Sequence, residues 1–128
     1  MNSTPAAFDE LYQSAKQVVN PRRLSAWATA GSVGAAIVSD SNTIYRGVCI
    51  DTACSMGFCA EHAAATAMVA AGEHRVLRMV AVGRNGQVMS PCGRCREFIS
   101  QLHEDNLSTE VMIDDGKIVT LEALLPYR

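Results

Sequence analysis

Apolar residues in the first twenty positions, Phe8, Leu11, Tyr12, Ala15, Val18 and Val19, recur at three- and four-residue intervals. This predicts a helix with one apolar stripe, ended by Asn20-Pro21 and laid over one face of a sheet. From Gly31 the period shortens: the runs 33–38 and 43–48 flank the polar Asp40-Ser41-Asn42 and predict a β-hairpin. Residues 50–58, with Gly57 and many small or polar side chains, predict a loop, and the alanine-rich stretch 59–71 predicts a helix that Gly72 stops. The run 76–82 suits a central strand, Asn85-Gly86 a turn, and Ser90-Pro91 introduces a second central helix over 92–102. Residues 111–113 and 117–119 predict two strands around Asp114-Asp115-Gly116, followed by a short helix over 121–125. Helix, two strands, helix, strand, helix, two strands and helix make a mixed five-stranded sheet with helices on its faces. No internal repeat or linker interrupts the pattern.

Length and composition narrow the possibilities. The chain has 128 residues, 48% of them apolar, which suits a single domain with a substantial core. Eleven Lys and Arg against 13 Asp and Glu leave a net charge of −2, the wrong sign for gripping a polynucleotide. No apolar run reaches the roughly 18 residues of a membrane span. Residues 1–10 lack a basic region, an apolar region and a cleavage site, so the expected compartment is the cytoplasm. Disulfides rarely persist there, and an odd set of five cysteines, at 49, 54, 59, 92 and 95, points to metal binding or chemistry.

Two of the predicted helices begin with cysteine. Cys59-Ala60-Glu61 opens one and Pro91-Cys92-Gly93-Arg94-Cys95 the other, so three thiolates can converge at two helix N-termini. The unpaired N–H groups and positive dipole ends there stabilise thiolates. Soft sulfur suits Zn2+, and three protein ligands leave the fourth tetrahedral position open, as in a catalytic site. Glu61, two residues from a ligand, is placed to move a proton on a water at that position without binding the metal. Cys-x-Glu followed by Pro-Cys-x-x-Cys is the signature of zinc deaminases, which replace an exocyclic amine with oxygen and release ammonia.

With Val33-Gly34-Ala35-Ala36, Cys59-Ala60-Glu61, Pro91-Cys92-Gly93-Arg94-Cys95-Arg96 and Leu124-Leu125-Pro126, most of the chain resembles the cytidine deaminase family. Pro-Cys-Gly-Arg-Cys-Arg and the compact length also resemble blasticidin-S deaminase. The resemblance implies a three-layer α/β/α domain, a homotetramer, one zinc per subunit and a place in pyrimidine salvage. It assigns Cys59, Cys92 and Cys95 as zinc ligands and Glu61 as proton shuttle. The Ala60 N–H would hold the pyrimidine carbonyl, and a main-chain carbonyl near Ser90-Pro91 would accept from the exocyclic amine.

Departures from the family pattern bear on substrate. Cys49-Ile50-Asp51 stands where the family typically carries Asn-Val-Glu to hold the ribose; Asp51 can accept a hydroxyl proton, but Cys49 is a weak donor. Gly31 replaces an aromatic residue expected to wall the nucleoside. His62 replaces the Arg that donates to a zinc-bound sulfur, which leaves Arg94 or Arg96 to supply positive charge. Tyr127 is the one aromatic residue beyond Pro126. The expected activity is deamination of a cytidine or deoxycytidine type of nucleoside; the first alternative is a non-standard aminated heterocycle, such as blasticidin S or a modified cytosine. The second alternative is a non-catalytic, zinc-stabilised binding protein with a closed metal knot, completed by Cys54 or His62. Glu61 and Pro91 argue against a closed knot, which needs neither.

Overall fold

The structure, a computed structural model, describes residues 6–128. Residues 1–5, half of the segment expected to carry no leader, lie outside the described residues. The first apolar stripe folds as α1 (Phe8–Val18), with Leu11 and Ala15 buried. There follow β1 (Arg22–Ser25), β2 (Ala28–Ser39), β3 (Ile44–Thr52), α2 (Ala60–Ala70) and β4 (Val76–Gly83). The chain continues through β5 (Val88–Met89), α3 (Gly93–Leu102), β6 (Glu110–Asp114) and β7 (Lys117–Thr120).

The five expected strands lie side by side in the order β3, β2, β4, β6, β7. Among the described residues only the β4/β6 pair is parallel; the pairs β2/β3, β2/β4 and β6/β7 are antiparallel, so the sheet is mixed. Two short strands extend it to seven among the described residues. β1 pairs with the start of β2, and β5 pairs with the end of β4. Neither was expected, for a physical reason: every residue of β1 is exposed, and β5 has only two residues, so neither carries an alternating burial pattern. The expected terminal helix is a 3-10 turn, Glu122–Leu124.

Alternation along β2 and β4 divides the core. Ala36, Val38, Val80 and Val82 face Leu11 and Ala15 of α1. Ala35, Ile37, Met79 and Ala81 face Ala64, Ala65 and Met68 of α2 and Ile99 of α3. Both strands are buried on two faces, which is why each reads as a continuous apolar run. The result is three layers, α/β/α.

Two glycines set how closely the helices sit. A Cβ on Gly34 would lie 2.4 Å from the Ala15 carbonyl oxygen, and one on Gly47 would lie 2.4 Å from the Ala64 nitrogen. The missing side chain at Gly47 lets α2 rest directly on β3, and this seat places the start of α2 over the functional cleft. Gly47→Ala is therefore expected to destabilise the fold by about 1–3 kcal/mol through overpacking. Urea denaturation checks this; an unchanged midpoint and slope would show that α2 does not need the close approach.

Candidate active site

Cys59 and Cys92 occupy the N-cap positions of α2 and α3, each with extended backbone (φ −76, ψ 159 and φ −69, ψ 166). Their sulfurs turn toward each other and lie 3.3 Å apart. Cys95, buried in the first turn of α3, brings the third, and all three Sγ atoms lie within 4.8 Å of one another. Tetrahedral zinc with Zn–S near 2.3 Å requires sulfurs about 3.8 Å apart, a spacing this cluster accommodates.

The electrostatics agree with a cation at this position. Burial pushes the Cys59 thiol up to about 11, reinforced by its hydrogen bond with Cys92. Burial likewise raises Cys95, helped by the charges of Glu61 and Cys59. Burial also acts upward on Cys92, but hydrogen bonds from the Cys95 backbone and the Cys59 thiol outweigh it and hold Cys92 below its ordinary value. Three thiolates so close together repel, and a divalent cation offsets that repulsion.

Glu61, the second residue of α2, is 5% exposed and lines a cavity of about 420 Å3 together with Cys59 and Cys92. Burial holds its carboxyl above the usual carboxylate range, partly countered by a bond from its own backbone N–H. Ala60 opens the helix, so its N–H has no intrahelical acceptor. The cavity wall includes Ala60, Cys49, Asp51 and Ser90, so the structure gathers all four expected substrate-side positions around one space.

These positions differ in what they offer. Cys49 is buried; its sulfur accepts the Val33 N–H at 3.3 Å and is hydrogen-bonded to Ser32 Oγ at 3.2 Å. Asp51 is exposed. Arg94 lines the cavity and donates to the Gly57 carbonyl at 3.4 Å. Arg96 donates to the Pro91 carbonyl and the Ser90 hydroxyl. The hydrogen bonds of both arginines thus go to oxygen, not to the thiols.

The backbone accounts for the glycine at position 31. Gly31 does not line the cavity; it has φ +85 within β2, and a Cβ there would lie 2.2 Å from the Asn20 carbonyl oxygen. Glycine is needed to pass that bend. His62 stacks on Phe98 with ring centroids 4.0 Å apart and stands outside the sulfur group. Burial lowers its pKa, and the Arg94 charge adds to the effect. Cys54, exposed and left-handed at φ 64, also stands outside the group, and Tyr127 is 98% exposed and away from this cavity.

Sequence reasoning missed Ser32, Thr52, Ser55, Phe58 and Met89, all of which line the cavity. Phe58 and Met89 directly precede Cys59 and Ser90, so adjacency to the motifs was a usable signal. Ser32 reaches the site because the β2/β3 pairing is irregular between Ala30 and Gly34, which no local pattern announces.

A sulfur triad with room for a fourth ligand, beside a buried carboxyl and an open cavity, defines a zinc-dependent hydrolytic enzyme. The chain belongs to the cytidine and deoxycytidylate deaminase family: residues 9–110 match the model of that family's zinc-binding region. A cytidine deaminase of Sporosarcina psychrophila is 33% identical over 97 residues, which is 73% of this chain and 71% of the relative. The crystal structure of cytidine deaminase from Mycobacterium tuberculosis superposes with a TM-score of 0.80 at 26% identity, covering 95% of this chain and 96% of that one. Cytidine deaminase from Mycobacterium leprae gives a TM-score of 0.79 at 26% identity, covering 94% and 98%.

Cys95→Ser replaces the buried sulfur with a poor zinc ligand. Elemental analysis is expected to show zinc falling well below one per chain, and the melting temperature should drop toward that of chelator-treated protein. Full zinc content in the variant would remove Cys95 from the ligand set.

Proposed function

We propose that this chain, as one zinc-binding domain, hydrolytically deaminates a cytidine-type nucleoside, with Cys59, Cys92 and Cys95 holding zinc. The carrying observation is the buried Glu61 carboxyl in the same cavity as the sulfur triad. Zinc held there would supply a Lewis acid that lowers the pKa of water toward about 7. Glu61 takes a proton from the attacking water and passes it to the ring nitrogen; the second proton of that water goes with the amine, which leaves as ammonia while oxygen takes its place on the ring. A carboxyl whose pKa lies above the usual range suits both directions of transfer. The Ala60 N–H donates to the pyrimidine carbonyl, and a carbonyl of the Ser90-Pro91 segment accepts from the amine.

A second reading has its own observation. The Cys49 sulfur is already engaged by Val33 and Ser32, so it offers the sugar little at a position where an amide is expected. This favours a non-standard aminated pyrimidine. Ammonia release from zinc-loaded protein across cytidine, deoxycytidine, cytosine, 5-methylcytidine and blasticidin S separates the two readings. Glu61→Gln is expected to lower the rate at least about a thousandfold on whichever compound reacts, with zinc retained. Zinc-loaded protein that leaves the whole panel untouched would contradict both.

The proposed assembly is a homotetramer in the cytoplasm, acting in pyrimidine salvage. Free thiol ligands suit a reducing compartment. Support for assembly comes from the β1–β2 arm and the neighbouring loop, where Leu24, Trp27 and Met56 are 50%, 74% and 78% exposed. Trp27→Glu is expected to shift the protein toward smaller species in sedimentation velocity; an unchanged distribution would place the interface elsewhere.

A further inference from the structure

The segment joining β5 to α3 carries one wall of the cavity, and an arginine holds it. Pro91 has no N–H to donate, and a residue before proline is driven to an extended backbone, so helical bonding cannot hold Ser90-Pro91 and Pro91 adds no ladder donor. Arg96, in the first turns of α3, donates from Nε to the Pro91 carbonyl at 2.8 Å and from Nη2 to the Ser90 hydroxyl at 3.2 Å. Its backbone N–H donates to the Cys92 carbonyl at 3.0 Å. One residue thus occupies two consecutive carbonyls, those of Pro91 and Cys92, and the Ser90 hydroxyl as well. Among the described residues the Ser90 carbonyl accepts no backbone bond from a turn, loop or cap, and Ser90 lines the cavity. A guanidinium offers its N–H groups in a rigid planar fork, so two bonds to adjacent residues fix the direction of the segment as well as its distance.

We propose that Arg96 is a positioning residue for the deamination, occupying the neighbouring acceptors so that the Ser90 carbonyl alone receives the exocyclic amine of the substrate. The inference rests on the deaminase reading above and deepens it. Arg96 touches neither substrate nor metal; it acts through the backbone of Ser90. A purely structural clamp at the start of α3 has a different consequence, because its loss would weaken every ligand of the cavity alike.

Two ligands separate these roles. Cytidine carries the amine, and pyrimidin-2-one ribonucleoside has hydrogen in its place while keeping the ring carbonyl and the sugar. With Arg96→Gln, kcat/KM for cytidine is expected to fall about tenfold, the scale of one misplaced hydrogen bond. The inhibition constant of the amine-free nucleoside should change less than about twofold, and zinc content should stay at the wild-type level. Arg96→Lys keeps the charge but loses the fork, and should fall between the wild type and the Gln variant on cytidine alone. If Arg96→Gln loses zinc, the Lys variant is judged by the same pair of ligands. Equal losses for both ligands, no loss for either, or loss of zinc in the Lys variant too would overturn the positioning role. Wild-type protein inert toward every aminated pyrimidine of the panel would instead overturn the proposed function, and the positioning role with it, before any substitution is compared.

Discussion

Two helices must begin at the same point, and much of the structure serves that requirement. Cys59 and Cys92 each stand one residue outside a helix, in matching extended conformations, with sulfurs 3.3 Å apart. A helix start delivers unpaired N–H groups and a positive dipole end to the thiolates. Two starts facing each other bring that field to a cluster in which burial pushes the Cys59 and Cys95 thiols up. The arrangement survives because α2 is seated on β3 through Gly47, while Ile99 anchors α3 in the same apolar layer.

The cavity inherits its polarity from this geometry. Its base is acidic, with Glu61 buried beside the sulfurs, whereas Arg94 and Asp51 stand on the exposed wall. Glu61 is desolvated but has its own backbone N–H to moderate the effect, a balance suited to a group that must both take and give a proton. Cys49, also on the cavity wall, is committed to Ser32 and Val33.

Much of the fold was legible. The cores of the five principal strands and of α1 to α3 fall where periodicity and stop signals put them, because each long element buries a face whose pattern repeats locally, but β2 begins earlier, at Ala28, and β3 runs on to Thr52, into the expected loop. The elements that escaped were β1, wholly exposed, and β5, two residues long, which are held by pairing partners rather than by their own side chains. In the site, the triad and Glu61 were visible because all four lie within one turn of a helix start, so short spacing carries their geometry. Ser32 and Thr52 were not, because they come from β2 and β3, whose arrangement around the cavity depends on an irregular strand register.

Gly31 and Arg96 mark the boundary between the two sources of information. In sequence, Gly31 reads as a missing wall and Arg96, with Arg94, as a source of positive charge for the thiolates. In the fold, Gly31 is a backbone necessity beside Asn20, and Arg96 holds the Ser90-Pro91 segment. Local spacing carries the layered α/β class, the three thiols and the acid beside them, since each depends on contacts within a few residues. The hold of Arg96 on Ser90-Pro91, the partners of Cys49 and the place of the cavity come from the folded chain. Those features depend on distances between segments far apart in the chain, set by strand register and helix seating rather than by local spacing.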